Sequence, residues 1–137
     1  MEMTTLNPEM KETFSKIKVF PVGTASRSGI PNVSLIAFVQ LISDDTIWLA
    51  DNYMKKTIEN LRENPRASIS VWDPESKKCF QIKGRVEIKT SGPDYEKMKK
   101  MVHDKRPELP AKSLVIFTVT EVFSCVPGPD AGKKLLG

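Results

Sequence analysis

Two lysines and a threonine stand where a predicted strand gives way to a predicted helix. A strand over residues 46–50 is followed by a short polar turn, and Lys55, Lys56 and Thr57 open the helix. A helix start leaves unpaired backbone N–H groups, and the helix dipole makes their surroundings favourable for an anion. Two ammonium groups and a hydroxyl at that place predict a phosphate site. The alternative is a solvated lysine pair at an ordinary helix start, because lysine side chains are mostly exposed.

The other reactive side chains do not form a catalytic set in the sequence. His103 is the only histidine, and with no carboxylate at a suggestive spacing it is interpreted as a solvated surface residue. Cys79 and Cys125 have no histidine near them in sequence, so we interpret them as reduced, mostly buried thiols. Metal-ligand spacing and a Gly-x-Ser-x-Gly turn are both absent from the sequence. We therefore assign no catalytic residue and no metal, and expect any chemistry to come from a cofactor.

Length and charge restrict the class of protein. A chain of 137 residues predicts a single domain, residues 1–137, with a tail over 127–137 that we expect to be loose. The net charge of +4 and the pI near 9.1 fit an anionic ligand or weak nucleic-acid affinity, but also plain solubility or thermal adaptation. Neither a signal peptide nor an apolar run of the ~20 residues that a membrane helix needs is visible. We expect a soluble cytoplasmic protein with no membrane partner.

The hydrophobic pattern predicts mainly strands, with few helices. The strand over 31–41 is expected to place Val33, Leu35 and Val39 on one face and Ile36 and Phe38 on the other, so that it is apolar on both sides. Strands separated by short turns predict an antiparallel sheet that closes on itself, with helices at its ends. Six strands are predicted over residues 19–25, 31–41, 46–50, 66–72, 79–89 and 114–125, and helices over 8–17, from about 55 to 63 and from 93 to about 105.

Several of these segments match a known family in order and spacing. The run Met54-Lys55-Lys56-Thr57-Ile58-Glu59-Asn60 before Asn64-Pro65 resembles the phosphate-binding turn and helix of the FMN-binding split barrels, the pyridoxamine 5′-phosphate oxidase-like superfamily. The stretch from Ile82-Lys83-Gly84-Arg85 to Gly92-Pro93-Asp94-Tyr95-Glu96 resembles the small FMN-binding protein branch. Pro31-Asn32-Val33-Ser34 and Leu114-Val115-Ile116 are also similar. The resemblance covers roughly residues 14 to 126.

The resemblance implies a six-stranded antiparallel split β-barrel of Greek-key type that forms a homodimer, with FMN in each of two clefts at the subunit interface. Lys56 and Thr57 would hold the FMN phosphate, with Lys55 assisting. The remaining implied positions fall into three groups: Ser34, Leu35 and Ile36 along the isoalloxazine ring; Leu49, Ala50 and Asp51 beside the ribityl chain and ring; and Cys79, Ser124 and Cys125 reaching the flavin from the partner subunit.

The sequence departs from the vitamin B6 oxidases of that superfamily. Those enzymes carry a C-terminal arginine- and histidine-bearing substrate motif, whereas this chain has no arginine after Arg106 and no histidine after His103. Ser34 and Val39 or Gln40 stand where those enzymes place a flavin-contacting arginine and lysine. We therefore expect a flavoprotein that moves electrons to an unidentified redox partner or reduces an unidentified small substrate.

Two kinds of alternative stay open. A deazaflavin-dependent reductase or a B6-type oxidase would use the same fold. A small basic barrel that binds single-stranded nucleic acid is less expected, because that mode needs aromatic stacking platforms along a basic groove. The chain has two Trp, two Tyr and six Phe, and most of them occupy core-like positions.

Overall fold

A computed structural model of the chain describes residues 3–137; residues 1–2 of the predicted domain lie outside that range. The protein is mainly β, and its helices lie between strands or before them. The described elements are, in order, α1 (Pro8–Ser15), β1 (Phe20–Ala25), β2 (Pro31–Ile36), β3 (Val39–Ser43), β4 (Thr46–Asp51), α2 (Lys56–Glu63), β5 (Arg66–Asp73), β6 (Lys78–Lys89), α3 (Pro93–Lys105), β7 (Ser113–Ser124) and β8 (Lys134–Leu136).

The strands form one antiparallel sheet with the order β2-β1-β5-β6-β7-β4-β3, and β8 pairs with β7. The strands at the two ends of this order, β2 and β3, are neighbours in the chain, separated only by Ala37 and Phe38. Because a two-residue linker joins the two edges, the sheet must curl until those edges meet. The result is consistent with the expected split barrel. We call the place where β2 and β3 meet the seam.

Across residues 3–137 the structure has eight strands instead of the predicted six, because the strand predicted over 31–41 is broken at the linker and β8 forms near the C-terminus. Leu35 pairs with Pro21 of β1, whereas Gln40 pairs with Trp48 of β4, so the chain changes partners between them. The backbone N–H of Val39 donates to the carbonyl of Ala37 at 3.1 Å, which closes a tight local turn. A period-two pattern continues on both sides of this turn and gives no sign of it.

The turn also changes which side chains point inward. Val33 and Leu35 are 69% and 72% exposed, while Ile36 and Val39 are buried. The predicted common face of Val33, Leu35 and Val39 is therefore wrong. The expectation that the strand carries apolar residues on both faces is confirmed by the exposed Leu35 beside the buried Ile36.

The expectation of a loose tail over 127–137 needs a correction. Within it, β8 pairs with β7, with Leu136 opposite Val122. The backbone N–H of Ser124 also donates to the carbonyl of Lys133 at 2.8 Å. A three-residue strand is too short to be distinguished from a coil in the sequence, and its partner is fixed only by the folded sheet.

The inner face of the curled sheet forms the main core. The alternation predicted for β6 is confirmed, since Phe80 and Ile82 are buried inside while Lys83 is exposed. Gly84 belongs to the inner set because a Cβ there would collide with the carbonyl oxygen of Thr118 and with the ring of Phe117.

The helices cover the sheet where the sequence signals place them. Asn7 caps α1, accepting a hydrogen bond from the N–H of Met10 at 2.9 Å, as its position before Pro8 predicts. Gly92 precedes α3 with a φ of 99°, and Pro93 is its first residue. This helix packs on the outer face of β4 and β7, through a cluster of Trp48, Ala50, Met98, Val102, Ala111 and Leu114. Across residues 3–137, every helix is too short or too polar to cross a membrane.

Candidate functional site

A cavity of about 560 Å³ opens at the seam. Three segments form its walls: the end of β2 with the linker, the loop between β4 and α2, and the C-terminal end of α3. Its volume lies within the ~300–1,000 Å³ usual for small-molecule sites. The lining residues are Ser34, Leu35, Ile36, Ala37, Phe38, Gln40, Ala50, Asn52, Tyr53, Met54, Lys55, Val102, Lys105, Arg106 and Leu109.

Many of the predicted site residues meet at this cavity. The structure brings Ser34, Leu35, Ile36, Ala50 and Lys55 to its walls. These positions come from three separate segments of the chain, so their common location is a property of the fold and not of the local sequence.

Two other predicted site residues, Lys56 and Leu49, do not line the cavity and differ in exposure. Lys56, the first residue of α2, is exposed, so its ammonium group is free to reach an anion near the helix start. Leu49 packs into the main core with 1% of its surface exposed, and its side chain does not line the cavity.

Thr57 is tied to β2 by hydroxyl and amide hydrogen bonds. Its Oγ1 lies 2.5 Å from the Oγ of Ser34 and accepts from the Nδ2 of Asn32 at 3.1 Å. Thr57 is 1% exposed, whereas Ser34 lines the cavity. The two hydroxyls carry two protons, and only one can lie between their oxygens. The second proton is therefore available for donation to a ligand. When Thr57 donates to Ser34, the hydroxyl of Ser34 can donate its own proton into the cavity.

A further layer holds Thr57 in place. The hydroxyl of Thr24 accepts from the Nδ2 atoms of Asn60 at 3.1 Å and Asn32 at 3.4 Å. Thr24, Asn32 and Asn60 are not among the predicted site residues. Asn60 could have been found from the sequence, because it lies one turn after Thr57 on the buried side of α2, and a buried polar residue needs a hydrogen-bond partner.

The start of α2 has free hydrogen-bonding capacity. Lys55 is its N-cap residue and makes no side-chain capping bond. The N–H groups of the first turn are therefore not satisfied by a cap, and the dipole adds positive potential there. This geometry fits the predicted anion site, and the exposed Lys55 and Lys56 add two positive charges.

Asp51 holds the loop that leads into α2. Its Oδ1 accepts from the N–H of Met54 at 3.0 Å and its Oδ2 accepts from the hydroxyl of Ser113 at 2.9 Å. Lys112 places its Nζ 3.8 Å away, and Asp51 itself is 2% exposed. Asp51 lines a neighbouring cavity of about 360 Å³ that shares Met54 and Lys55 with the larger one. Its carboxylate therefore fixes the conformation of the loop and does not line the larger cavity.

The larger cavity is positively charged. Lys55, Lys105 and Arg106 line it, and its lining contains no carboxylate. The ammonium group of Lys105 lies 5.7 Å from the ring centre of Phe38, a cation–π contact that holds both side chains at the cavity wall. Arg106 pairs with the exposed Glu108 at 2.6 Å. A small anionic ligand with an aromatic part matches this lining.

Cys79, Ser124 and Cys125 lie together, but not at the cavity at the seam. The N–H of Cys125 donates to the carbonyl of Cys79 at 3.0 Å. Cys79 and Ser124 line a third cavity of about 310 Å³, which α1 also walls. Both cysteines are only partly exposed, in agreement with the expectation of mostly buried thiols. Burial, followed by the neighbouring Cys125, raises the pKa of the Cys79 thiol.

His103 is more constrained than a solvated surface residue. It is half-buried, and its Nε2 lies 2.8 Å from the carbonyl oxygen of Leu109. The expectation that it is simply solvated is therefore wrong, although no acid or nucleophile is bonded to it. Groups of histidine, cysteine and carboxylate side chains able to hold a metal ion are absent from residues 3–137.

Comparison with known families gives a match over residues 6–125 to the model of pyridoxamine 5′-phosphate oxidase. This chain belongs to the pyridoxamine 5′-phosphate oxidase family. A relative from Methanocaldococcus jannaschii, an uncharacterized protein, is 33% identical over 134 residues, which cover 95% of this chain and 87% of the relative.

Solved structures show the same fold. HupZ of Group A Streptococcus is 26% identical, with a TM-score of 0.79, and the match covers 93% of this chain and 99% of HupZ. An FMN-binding protein from Syntrophomonas wolfei is 22% identical, with a TM-score of 0.65, over 81% of this chain and 79% of that protein. HutZ, a heme storage protein from Vibrio cholerae, is 19% identical, with a TM-score of 0.68, over 88% and 94% of the two chains. Members of this fold therefore hold more than one kind of cofactor.

Proposed function

We propose that this protein binds FMN in the cavity at the seam and works as a redox flavoprotein. The observation that carries the proposal is the meeting of Ser34, Lys55 and the buried Thr57 at the uncapped start of α2. Hydroxyl, ammonium and helix N–H groups are the donors that a terminal phosphate needs. The family membership supports the same cofactor class.

The phosphate end of FMN fits the charge of this site. Lys55 and Lys56 flank the helix start, and the pair of Ser34 and Thr57 has a hydroxyl proton to donate. A glycine-rich loop of the kind that cradles a pyrophosphate is absent from this junction in the sequence. The site therefore suits a flavin with a single terminal phosphate.

The ring end of FMN suits the wall formed by β2. As an edge strand, β2 pairs with β1 on one side only, so the backbone N–H and C=O groups of its other side stay unpaired within the sheet. Ser34, Leu35 and Ile36 carry these groups at the cavity, and Phe38 adds an aromatic surface. A bound flavin would supply one- or two-electron chemistry, for which no side chain of this site is equipped. The chain's own contribution is to bind, orient and shield the ring.

We propose a homodimer in which each flavin lies at the subunit interface. The outer face of the sheet carries the exposed Val33, Leu35 and Trp72. Between them lie Gly23 and Ser68, paired across β1 and β5, which leave this face flat. An isologous two-fold contact would cover this apolar surface.

The same face continues to the cysteine pair, because Cys79 lies opposite Trp72 in the β5–β6 pairing. A two-fold contact on this face would bring the partner's β6 and β7 ends towards β2. This supports the predicted approach of Cys79, Ser124 and Cys125 to the flavin of the other subunit.

Rival cofactors can be separated by one experiment. We would purify the protein, record its visible spectrum and identify the released cofactor by mass. FMN gives a flavin spectrum, a deazaflavin gives a different one, and heme gives a Soret band. The outcome expected is FMN at one per subunit. FAD as the tightly bound species, or a colourless protein that added FMN does not fill, would overturn the proposal.

The rival functions receive less support from the structure. His103, the only histidine of the sequence, does not line the cavity, so a single chain offers heme no histidine ligand there. For vitamin B6 oxidation, Ser34 and Val39 or Gln40 stand where those enzymes place a flavin-contacting arginine and lysine. We also propose that the protein is cytoplasmic and that it acts with a redox partner or a small substrate that is still unidentified.

A further inference from the structure

The two cysteines of the chain lie opposite each other across β6 and β7. The pairing of these strands sets Phe80 opposite Ser124, so the next opposed pair is Cys79 and Cys125. The backbone confirms this, because the N–H of Cys125 donates to the carbonyl of Cys79 at 3.0 Å. In a hydrogen-bonded pair of this kind the Cα atoms are about 5.5 Å apart, within the range of about 4.4–6.8 Å that a disulfide spans. The Cβ atoms lie towards the far end of the range of about 4.5–5.5 Å, so closing the disulfide brings them together by about 1 Å.

The side chains of this pair also face each other. Besides burial, Cys125 is close enough to raise the pKa of the Cys79 thiol, and both residues are half-buried. Among the described residues, the side chain hydrogen-bonded to this pair is Gln81, whose Nε2 lies 3.9 Å from the Sγ of Cys125. Such weak contacts leave both sulfur atoms free to react with each other.

Small reagents can reach the pair from one side. Cys79 lines the cavity of about 310 Å³ that α1 walls with Asn7 and Met10. This cavity shares no lining residue with the cavity at the seam. A small molecule can therefore reach Cys79 without entering the cavity at the seam.

We propose that Cys79 and Cys125 form a reversible intramolecular disulfide, with a low-molecular-weight disulfide as the oxidant. The thiolate of Cys79 attacks one sulfur of the external disulfide, which forms a mixed disulfide and releases one small thiolate. The thiolate of Cys125 then attacks the sulfur of Cys79, which closes the protein disulfide and releases the second small thiolate. The protein loses two electrons and two protons, and the external disulfide gains them.

This inference rests on the strand register of a single chain. It requires neither bound flavin nor the homodimer, so its failure and the failure of the proposed function are distinguishable. The raised pKa of Cys79 makes its thiolate scarce at neutral pH, so the first exchange step is slow and the pair rests in the reduced state until an oxidant is present.

The experiment treats the purified protein, with whatever cofactor it carries, with glutathione disulfide. Intact mass after denaturation without reductant should be lower by two hydrogen atoms, and both alkylatable thiols should be lost. Dithiothreitol should restore them. Retention of both free thiols, or a covalent bond between two chains, would overturn the proposal.

Single variants provide the matched comparison. Cys79→Ser and Cys125→Ser each leave one thiol, which should keep a glutathione adduct. In the wild type the second thiol is held beside the first, at an effective concentration on the order of millimolar or higher. The adduct should therefore be at least about tenfold scarcer there than in the variants. An equally abundant adduct in all three proteins would show that the two thiols do not meet. The wild-type measurement stands even where a variant folds poorly.

Discussion

The hydroxyl of Ser34 on β2 lies 2.5 Å from the hydroxyl of Thr57 in the first turn of α2. This contact joins the strand wall of the cavity to the helix whose N-terminus faces it. Asn32 supports the contact by donating to Thr57. The position of the helix relative to β2 is therefore set by side-chain hydrogen bonds and not by backbone pairing.

Replacement of Thr57 by valine tests this contact. The Thr57→Val variant keeps the volume but leaves Asn32 and Ser34 without their partner, so we expect a loss of about 1–3 kcal/mol in the free energy of unfolding. FMN affinity should fall as well. Urea unfolding and FMN titration measure the two effects. Thr57→Ser, which keeps the hydroxyl, should retain most of both, and a variant pair with identical unfolding curves would contradict the proposed role.

Lys56 gives a cleaner test of the phosphate site, because it is exposed and its loss should not disturb the core. A charge-assisted contact contributes about 1.5–3 kcal/mol, so Lys56→Ala should weaken FMN by roughly tenfold or more. Riboflavin, which lacks the phosphate, should bind with little change. Isothermal titration of both ligands measures the difference. Lys100→Ala removes the same charge from an exposed position on α3 and should leave both affinities alone; equal losses for FMN and riboflavin would contradict the assignment.

Leu35 offers a way to break the proposed dimer without touching the core. It is 72% exposed in the single chain, so Leu35→Glu should fold normally as a monomer. The buried charge would oppose the two-fold contact. Flavin affinity should fall as well, both because dimerisation is lost and because Leu35 itself lines the cavity. Sedimentation at micromolar protein concentration, followed at a flavin wavelength, measures the oligomeric state and the amount of bound flavin together. Ile42→Glu is a matched control, since Ile42 is 38% exposed on β3. A Leu35→Glu protein that stays dimeric would rule out this face.

Gly84 is the position where the β6–β7 pairing tolerates no side chain. In Gly84→Ala, the new methyl group would collide with a backbone carbonyl and with the ring of the buried Phe117. Overpacking of this kind costs about 1–3 kcal/mol in unfolding free energy. Gly23→Ala is the comparison, because its Cβ would meet only the hydroxyl of Ser68, which can rotate away. Urea denaturation should show the larger loss for Gly84→Ala.

The titration of Cys79 should respond to its neighbour. Burial, the largest cause, raises the pKa of the Cys79 thiol, and the charge and hydrogen bond of Cys125 raise it further. In Cys125→Ala the latter two causes disappear, so the pKa of Cys79 should fall towards its ordinary value while staying above it. The thiolate population at a fixed pH then increases, and so does the rate of alkylation by iodoacetamide. An unchanged pH profile would show that the thiols do not interact.

Local signals in the sequence were sufficient for much of the fold. Asn7 before Pro8 predicted the start of α1, and Gly92 before Pro93 predicted that of α3, because caps and proline act over a few residues. The break at Ala37 was not predictable from periodicity, since apolar residues continue across it.

The candidate site was only partly predictable for a related reason. The residues at the start of α2 are adjacent in sequence and could be recognised together. The partners of Thr57, Asn32 and Ser34, come from the distant strand β2. The closeness of Cys79 and Cys125 depends on a strand register that shifts between Lys83 and Gly84. Such register shifts are set by packing across the folded sheet.

The linker of Ala37 and Phe38 sets how far apart the two edges of the sheet lie at the cavity. It is the only covalent link across the seam, and no strand pairing joins β2 to β3 there. Glycines inserted into the linker should let the cavity walls move apart while every ladder hydrogen bond of the sheet remains in place. Glycines inserted between β3 and β4, in the tight turn around Asp45, lengthen the chain equally without reaching the cavity. Ligand affinity in this protein could thus be tuned by loop length alone, at little cost in the stability of the fold.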